Sequence, residues 1–197
     1  MLQRIIALLT LAFGFLAPAH ALDDYAVLSR ASFEINPESD LSGVEGEGFL
    51  LTYGVRLSEV MSFELSIGHH DLEDGGRRVS FGEMDGALTL EGSINTGEFA
   101  LLFQRRAGNI SPFLIFGHLT VDNEDIIAVF DPDNGPEMRA GGSQDGQGGE
   151  VESSDLFAGF GIDIHFGDAP YGIRAAYKSV GNEIDGEFLS VGAVLKF

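Results

Sequence analysis

Residues 187–197 read EFLSVGAVLKF, and this stretch decides how the whole chain is read. Leu189, Val191, Ala193, Leu195 and Phe197 share one parity, and Ser190, Gly192, Val194 and Lys196 share the other. Successive side chains of a strand point to opposite faces, so the stretch is a strand with one apolar face. Chain ends are usually frayed and polar unless something ties them down. An apolar strand that runs to Phe197 needs a partner strand along its length and apolar surroundings for its outer face.

The opposite end of the chain says where such a strand would work. Residues 1–21, MLQRIIALLTLAFGFLAPAHA, carry one charge, Arg4, then an apolar run from Ile5 to Ala17, then Ala19-His20-Ala21. These are the n-region, h-region and A-x-A site of a secretory signal peptide. The run is too short for an ordinary spanning helix. The pattern predicts a signal peptide over 1–21, cleaved after Ala21, and a single domain over 22–197. The chain has no Cys. An exported chain without disulfides must be held by other means, and closing a sheet into a barrel is one.

Charge narrows the partners. The 197 residues hold 31 Asp and Glu against 11 Lys and Arg. Such a balance argues against nucleic acid, which needs clustered Lys and Arg to meet phosphates. After residue 21 no apolar run reaches the ~20 residues of a membrane helix. If the domain crosses a membrane, a closed β-barrel is the only form left, because lipid cannot satisfy unpaired backbone groups.

Period-2 stretches occur at 24–36, 47–57, 61–71, 96–106, 112–122, 154–166, 170–178 and 186–197. The links alternate. SEV, AGNIS and GDA are short, whereas 37–46, 72–95, 123–153 and 179–185 are longer. Short turns at one end and long loops at the other describe an eight-stranded antiparallel up-and-down transmembrane barrel, an all-β fold. Link 123–153 is acidic and Gly-rich, which suits a solvated loop. Its IIAVF segment, and VSFGEMDGALTLEGSI in 72–95, can continue strands above the lipid.

Each strand then divides into an apolar and a polar stripe. The polar stripe is rich in Gly, Ser and Thr, suited to a narrow barrel interior. Its charges are of both signs: Arg30, Arg56, Arg106 and Arg174 with Glu34, Glu64 and Asp163. Buried charges must pair to offset desolvation, so these seven are expected to form a polar network that plugs the lumen and passes little current. Seven aromatics of the apolar parity gather near the short turns: Tyr25, Phe63, Phe103, Phe113, Phe166, Tyr171 and Phe197. They are expected to form a girdle at a membrane interface. The rival arrangement is a soluble periplasmic, lipocalin-like ligand-binding barrel with the apolar stripe inside.

Together, the signal peptide, alternating strands, short turns and LSVGAVLKF ending on Phe197 resemble the small outer-membrane β-barrel proteins of Gram-negative bacteria, the OmpX/opacity-like group. PFLIFGHL after a short turn also resembles a recurring stretch of that group. The resemblance spans 22–197. It implies an outer-membrane location, both termini periplasmic, four acidic loops outside, and recognition of the terminal strand and Phe197 by the barrel-assembly machinery. It implies a structural or surface-interaction role, a monomer, and outer-membrane lipid and lipopolysaccharide as neighbours.

Catalysis is weighed against two observations. Outer-membrane lipid A deacylases carry a His-x-Ser pair on one strand, and this chain has His118-Leu119-Thr120. Thr replaces Ser, and both residues are assigned the lumen parity, away from acyl chains; no catalytic residue and no cofactor are assigned. The alternative is a lipid A-modifying barrel enzyme. His69 and His70 are adjacent, so on a strand they cannot chelate one metal. DPDNGPE starts like a calcium loop, but Gly142 stands where the closing Glu belongs. Asp131, Asp133 and Glu137 are kept as a weak divalent-cation site in a loop, with no bound metal assigned. Arg77 and Arg78 are candidates to meet lipopolysaccharide phosphates.

Overall fold

The computed structural model describes residues 24–35, 45–73, 77–81, 84–133, 136, 138–141, 152–181 and 185–197. The signal peptide over 1–21, its cleavage site and Glu137 lie outside the described residues. Ten strands run in chain order: β1 (Asp24–Ile35), β2 (Glu45–Arg56), β3 (Met61–Glu73), β4 (Arg77–Phe81), β5 (Met84–Gln104), β6 (Ile110–Pro132), β7 (Met138–Gly141), β8 (Glu152–His165), β9 (Tyr171–Val180) and β10 (Gly186–Lys196).

Eight of them close into an antiparallel barrel in the ring order β1–β2–β3–β5–β6–β8–β9–β10, with β10 back on β1. The closing ladder runs from Tyr25↔Lys196 to Ile35↔Gly186. Asp24 and Phe197 exchange backbone hydrogen bonds of 3.2 and 3.0 Å, so the pairing reaches the last residue. The links at 57–60, 105–109 and 166–170 are short and share one end.

At the long-loop end β5 and β6 outgrow the ring, with 21 and 23 residues. A bulge between Glu91 and Ser93 marks the point of departure, and Gly92 there takes φ 154°. Beyond it, β4 pairs with β5 and β7 with β6, making a four-stranded sheet that stands off the barrel. The two segments singled out in 72–95 and 123–153 thus continue strands.

The outer face is apolar, with Leu51, Ile67, Leu101, Phe160, Leu189 and Val191 all exposed. In β2, β3, β5, β8, β9 and β10 this is the stripe the sequence assigns outward. In β1 and β6 the faces are reversed. Tyr25, Val27, Ala31 and Phe33 point inward, as do Phe113, Ile115, Leu119 and Val121. Ala26, Leu28, Arg30, Ser32 and Glu34 are on the outside of β1. Directly opposed residues share a face, so a strand that is apolar on both sides takes its orientation from its neighbours' register. PFLIFGHL carries large apolar residues at both parities, and register chose the inward set. On β1 register overrides the pattern, since the more apolar stripe of Tyr25, Val27 and Phe33 turns inward and only Leu28 is large and apolar on the outer one.

A packing rule underlies that choice. Four inward aromatic rings lie across from glycines on the adjacent strand: Tyr25 over Gly54, Phe33 over Gly46, Phe113 over Gly161 and Phe157 over Gly117. An eight-stranded interior is just wide enough to be filled by side chains. A large ring fits only where the facing residue gives up its own volume, and the ring covers a position that glycine otherwise leaves thin.

Gly54→Val therefore drives a side chain into the Tyr25 ring and is expected to cost about 1–3 kcal/mol. Gly97→Val, whose added Cβ meets nothing within 4 Å, is expected to stay within about 0.5 kcal/mol of the parent. Urea unfolding of the two variants in detergent micelles checks the contrast.

Candidate functional site: ion pairs across the barrel interior

The inner face of β9 carries Gly172, Arg174, Ala176 and Lys178, all buried. Arg174 is the centre of a buried charged cluster. Its Nε and Nη2 donate to the two oxygens of Asp163 at 2.7 and 2.9 Å, a bidentate pair with the directly opposed residue on β8. Its Nη1 donates to Glu64 Oε1 at 2.5 Å. Glu64 sits on β3, diametrically across the ring from β9. The Tyr25 hydroxyl donates to the same Glu64 oxygen at 2.5 Å. The guanidinium lies 5.3 Å from the Tyr25 ring centroid and 4.8 Å from that of Phe113. One cation thus meets two carboxylates and two aromatic rings, and every charged member is buried. Bidentate arginine–carboxylate geometry gives this cluster both energy and a fixed orientation.

Four residues along β9, about 13 Å at ~3.3 Å per residue, Lys178 forms a second ion pair. Its partner is Glu98 on β5, and the ammonium lies 5.1 Å from the Phe157 ring centroid. Smaller hydrogen bonds fill other levels: Thr52 with Ser66 at 2.8 Å, and Ser111 with His165 at 3.2 Å. Above Lys178, His70 packs edge-on against Phe33 and Phe188. Apolar side chains, Leu102 and Leu119 among them, occupy the remainder. The void among Val27, Glu64, Arg174 and Lys178 measures about 10 Å³, about the space of one water.

The sequence-assigned network is thus only partly brought together. Glu64, Asp163 and Arg174 meet. Arg56 faces inward and lines the short-turn mouth. Arg30 and Glu34 belong to the reversed strand β1 and are exposed; Arg30 pairs with Glu47 on the outer face. Arg106 lies beyond the end of β5, exposed in the turn, where its Nε reaches Gly108 O at 3.4 Å. The strand ends at Gln104, so strand parity does not govern Arg106. Reasoning from sequence places Lys178 on the polar stripe of its strand but leaves it out of the network, and it misses Glu98 and the inward turn of Tyr25. A carboxylate of inward parity on a facing strand was the signal for the partner of Lys178.

Among the seven aromatics, Phe103, Phe166, Tyr171 and Phe197 are exposed on the outer face and Phe63 is half-buried there. Phe166 and Tyr171 pack at 5.9 Å between centroids. Tyr25 and Phe113 are corrected: both are buried inside, held by the Arg174 cluster. Tyr53, which sequence reasoning did not assign to the girdle, sits 6.4 Å from Phe197 and donates to Asp24 Oδ2 at 2.6 Å. His118 and Thr120 are corrected as well. They lie on the outer side of reversed β6, where His118 stacks on Phe99 at 5.1 Å. Asp131 is exposed at the end of β6, and Asp133 N–H donates to Asp85 O at 2.9 Å. No cluster of three metal-binding side chains occurs among the described residues.

No protein-family model and no curated protein matches the chain. Solved structures do. Ail of Yersinia pestis aligns at 14% identity and TM-score 0.52, over 89% of this chain and 98% of that one. OprG of Pseudomonas aeruginosa aligns at 13% and 0.54, over 89% and 96%. Neisserial surface protein A aligns at 14% and 0.50, over 88% and 97%. The chain has the fold of the small outer-membrane β-barrels. In that barrel the exposed stripe is the surface that faces lipid, which removes the lipocalin-like alternative. On β10 the lipid-facing stripe from Leu189 to Phe197 spans eight residue steps. At ~3.3 Å per residue and a tilt of ~40° this is about 20 Å of height, close to the ~25 Å apolar band of outer-membrane barrels.

Breaking the central pair leaves carboxylates buried without their cation. Arg174→Met is expected to cost about 3–5 kcal/mol, while replacing both members of the second pair, Glu98→Leu with Lys178→Leu, costs less than either change alone. Denaturant unfolding of the single and double variants measures both.

Proposed function

We propose that the chain is an integral protein of the bacterial outer membrane whose lumen is closed and whose role is structural or interactive at the surface. The observation that carries this reading is the bridge from Arg174 on β9 to Glu64 on β3, which spans the barrel. A second bridge, Lys178 to Glu98, stands further along. An ion moving through would have to part buried pairs that have no other solvation. The outer aromatics Phe63, Phe103, Phe166, Tyr171 and Phe197, with Tyr53, anchor the barrel at the periplasmic interface. The strand ending at Phe197 is the segment the assembly machinery reads, and the barrel works as a monomer. Lipid and lipopolysaccharide are its neighbours. The acidic loops and the Asp131–Asp133 region contact the outside, and divalent cations bridge them to lipopolysaccharide.

The surface role is favoured over a lipid-modifying one by the surroundings of His118. The outward position removes lumen parity as a reason against catalysis. A catalytic histidine, however, is oriented by a third group on its second nitrogen. His118 Nδ1 has no hydrogen-bond partner among the described residues, and its ring is spent on Phe99.

In a Gram-negative host the full chain is expected in the outer membrane, with an unboiled band in SDS that migrates differently from the boiled one. The purified protein in planar bilayers is expected to give no steady, large single-channel current; such a current would overturn the closed lumen. Lipid A from cells expressing the parent, His118→Ala and Thr120→Ala is expected to be identical by mass spectrometry. An altered lipid A that depends on either side chain would establish the enzymatic alternative.

A further inference from the structure

The short-turn end carries two cavities that touch. One is a vestibule of about 430 Å³ at the barrel mouth, lined by Arg56, Arg105, Arg106 and Lys196, with Glu59 the carboxylate in its wall. The other is a groove of about 620 Å³ on the membrane face, lined by Phe103, Pro112, Leu114 and Phe160. Val60, Gln104 and Arg105 line both. The backbone builds this junction. Gln104 N–H donates to Val60 O at 2.9 Å, which sets the β2–β3 turn beside the end of β5, and Arg105 N–H donates to Pro112 O at 3.1 Å. Inside the mouth, Lys196 Nζ is 3.1 Å from His165 Nδ1, and His165 Nε2 is 3.2 Å from Ser111 Oγ.

The charge is out of keeping with the chain. The protein has a net charge of −20 and 11 Lys and Arg in all, yet four of those cations face one vestibule. A cleft lined by one sign of charge concentrates counter-ions of the other sign. Guanidinium groups suit phosphate because they donate in a planar fork. A free anion would fill the vestibule and leave the groove empty. A molecule with a phosphate at one end and a hydrocarbon chain at the other fills both.

We propose that this end is a seat for one anionic phospholipid of the inner leaflet. Its phosphate is held by Arg105 and Arg106 with Arg56 and Lys196 behind, and an acyl chain lies along Phe103, Leu114 and Phe160. Arg105, shared by both cavities, stands where headgroup meets chain. The proposal rests on the membrane-spanning reading above and adds a ligand, a leaflet and a position to it.

The test uses the full chain, folded and reconstituted in vesicles of equal parts phosphatidylcholine and phosphatidylglycerol, then extracted in mild detergent for native mass spectrometry of the retained lipid. The parent is expected to retain phosphatidylglycerol over phosphatidylcholine. Arg105→Gln with Arg106→Gln is expected to lower that retention by about fivefold per cation removed. Leu114→Trp, which fills the groove from an exposed position, is expected to lower it with every cation in place. Arg139→Gln at the long-loop end leaves it unchanged. Equal retention of both lipids, or retention unaffected by the arginine pair or by Leu114→Trp, overturns the proposal. Displacement of the lipid by inorganic phosphate alone does so too and leaves a free-anion site. Arg105→Gln alone decides the matter if the double variant does not fold. Loss of the heat-dependent band shift in the parent would sink the barrel reading itself, a separate outcome.

Discussion

The ladder between β1 and β10 is the constraint on which the rest depends. It runs from Tyr25↔Lys196 to Ile35↔Gly186 and is locked at the bottom by the reciprocal bonds of Asp24 and Phe197. Without it the sheet would have two edges, each a row of unpaired backbone groups. Water could satisfy those groups, but lipid could not. Closure is therefore what allows the outer face to be apolar, and it fixes the interior at a width that side chains fill.

A filled interior sets strict terms. Charges inside must find partners, so Arg174 is met by Asp163 and Glu64 and Lys178 by Glu98. Rings inside must find room, so Tyr25, Phe33, Phe113 and Phe157 each face a glycine one strand away. The two terms meet at Arg174. Its guanidinium lies between the Tyr25 and Phe113 rings, and those rings exist inside only because Gly54 and Gly161 make space. The charged bridge and the glycine pattern are one packing solution.

The two rims of the closed ring carry their charged side chains. At the long-loop end Glu34, Glu45, Glu47 and Glu187 are exposed on the outside. Arg56, Arg105, Arg106 and Lys196 gather at the short-turn mouth. Between them the outer face is apolar. The basic side chains at that mouth are a local cluster, since Glu59 and Asp168 are exposed in the same short turns.

The sequence by itself determined the eight crossing strands, the alternation of short and long links, and the outward face wherever one parity was clearly greasy, as in EFLSVGAVLKF and SDLFAGFGIDIHF. It also marked Glu64, Asp163 and Arg174 as inward charges, because parity is local and the pleat reverses every side chain. It could not orient β6, where both stripes are apolar, and it oriented β1 the wrong way, because there the more apolar stripe of Tyr25, Val27 and Phe33 turns inward and Arg30, Ser32 and Glu34 turn out. Nor could it pair Lys178 with Glu98, which are 80 residues apart, or keep Arg106 out of the lumen once the strand had ended. Those were decided by tertiary structure alone. Register between neighbouring strands, set by how rings and glycines fit across the ladder, turned Tyr25 and Phe113 inward and left Arg30 outside. The physical reason is that facing is a property of a strand, whereas pairing and filling are properties of the closed ring.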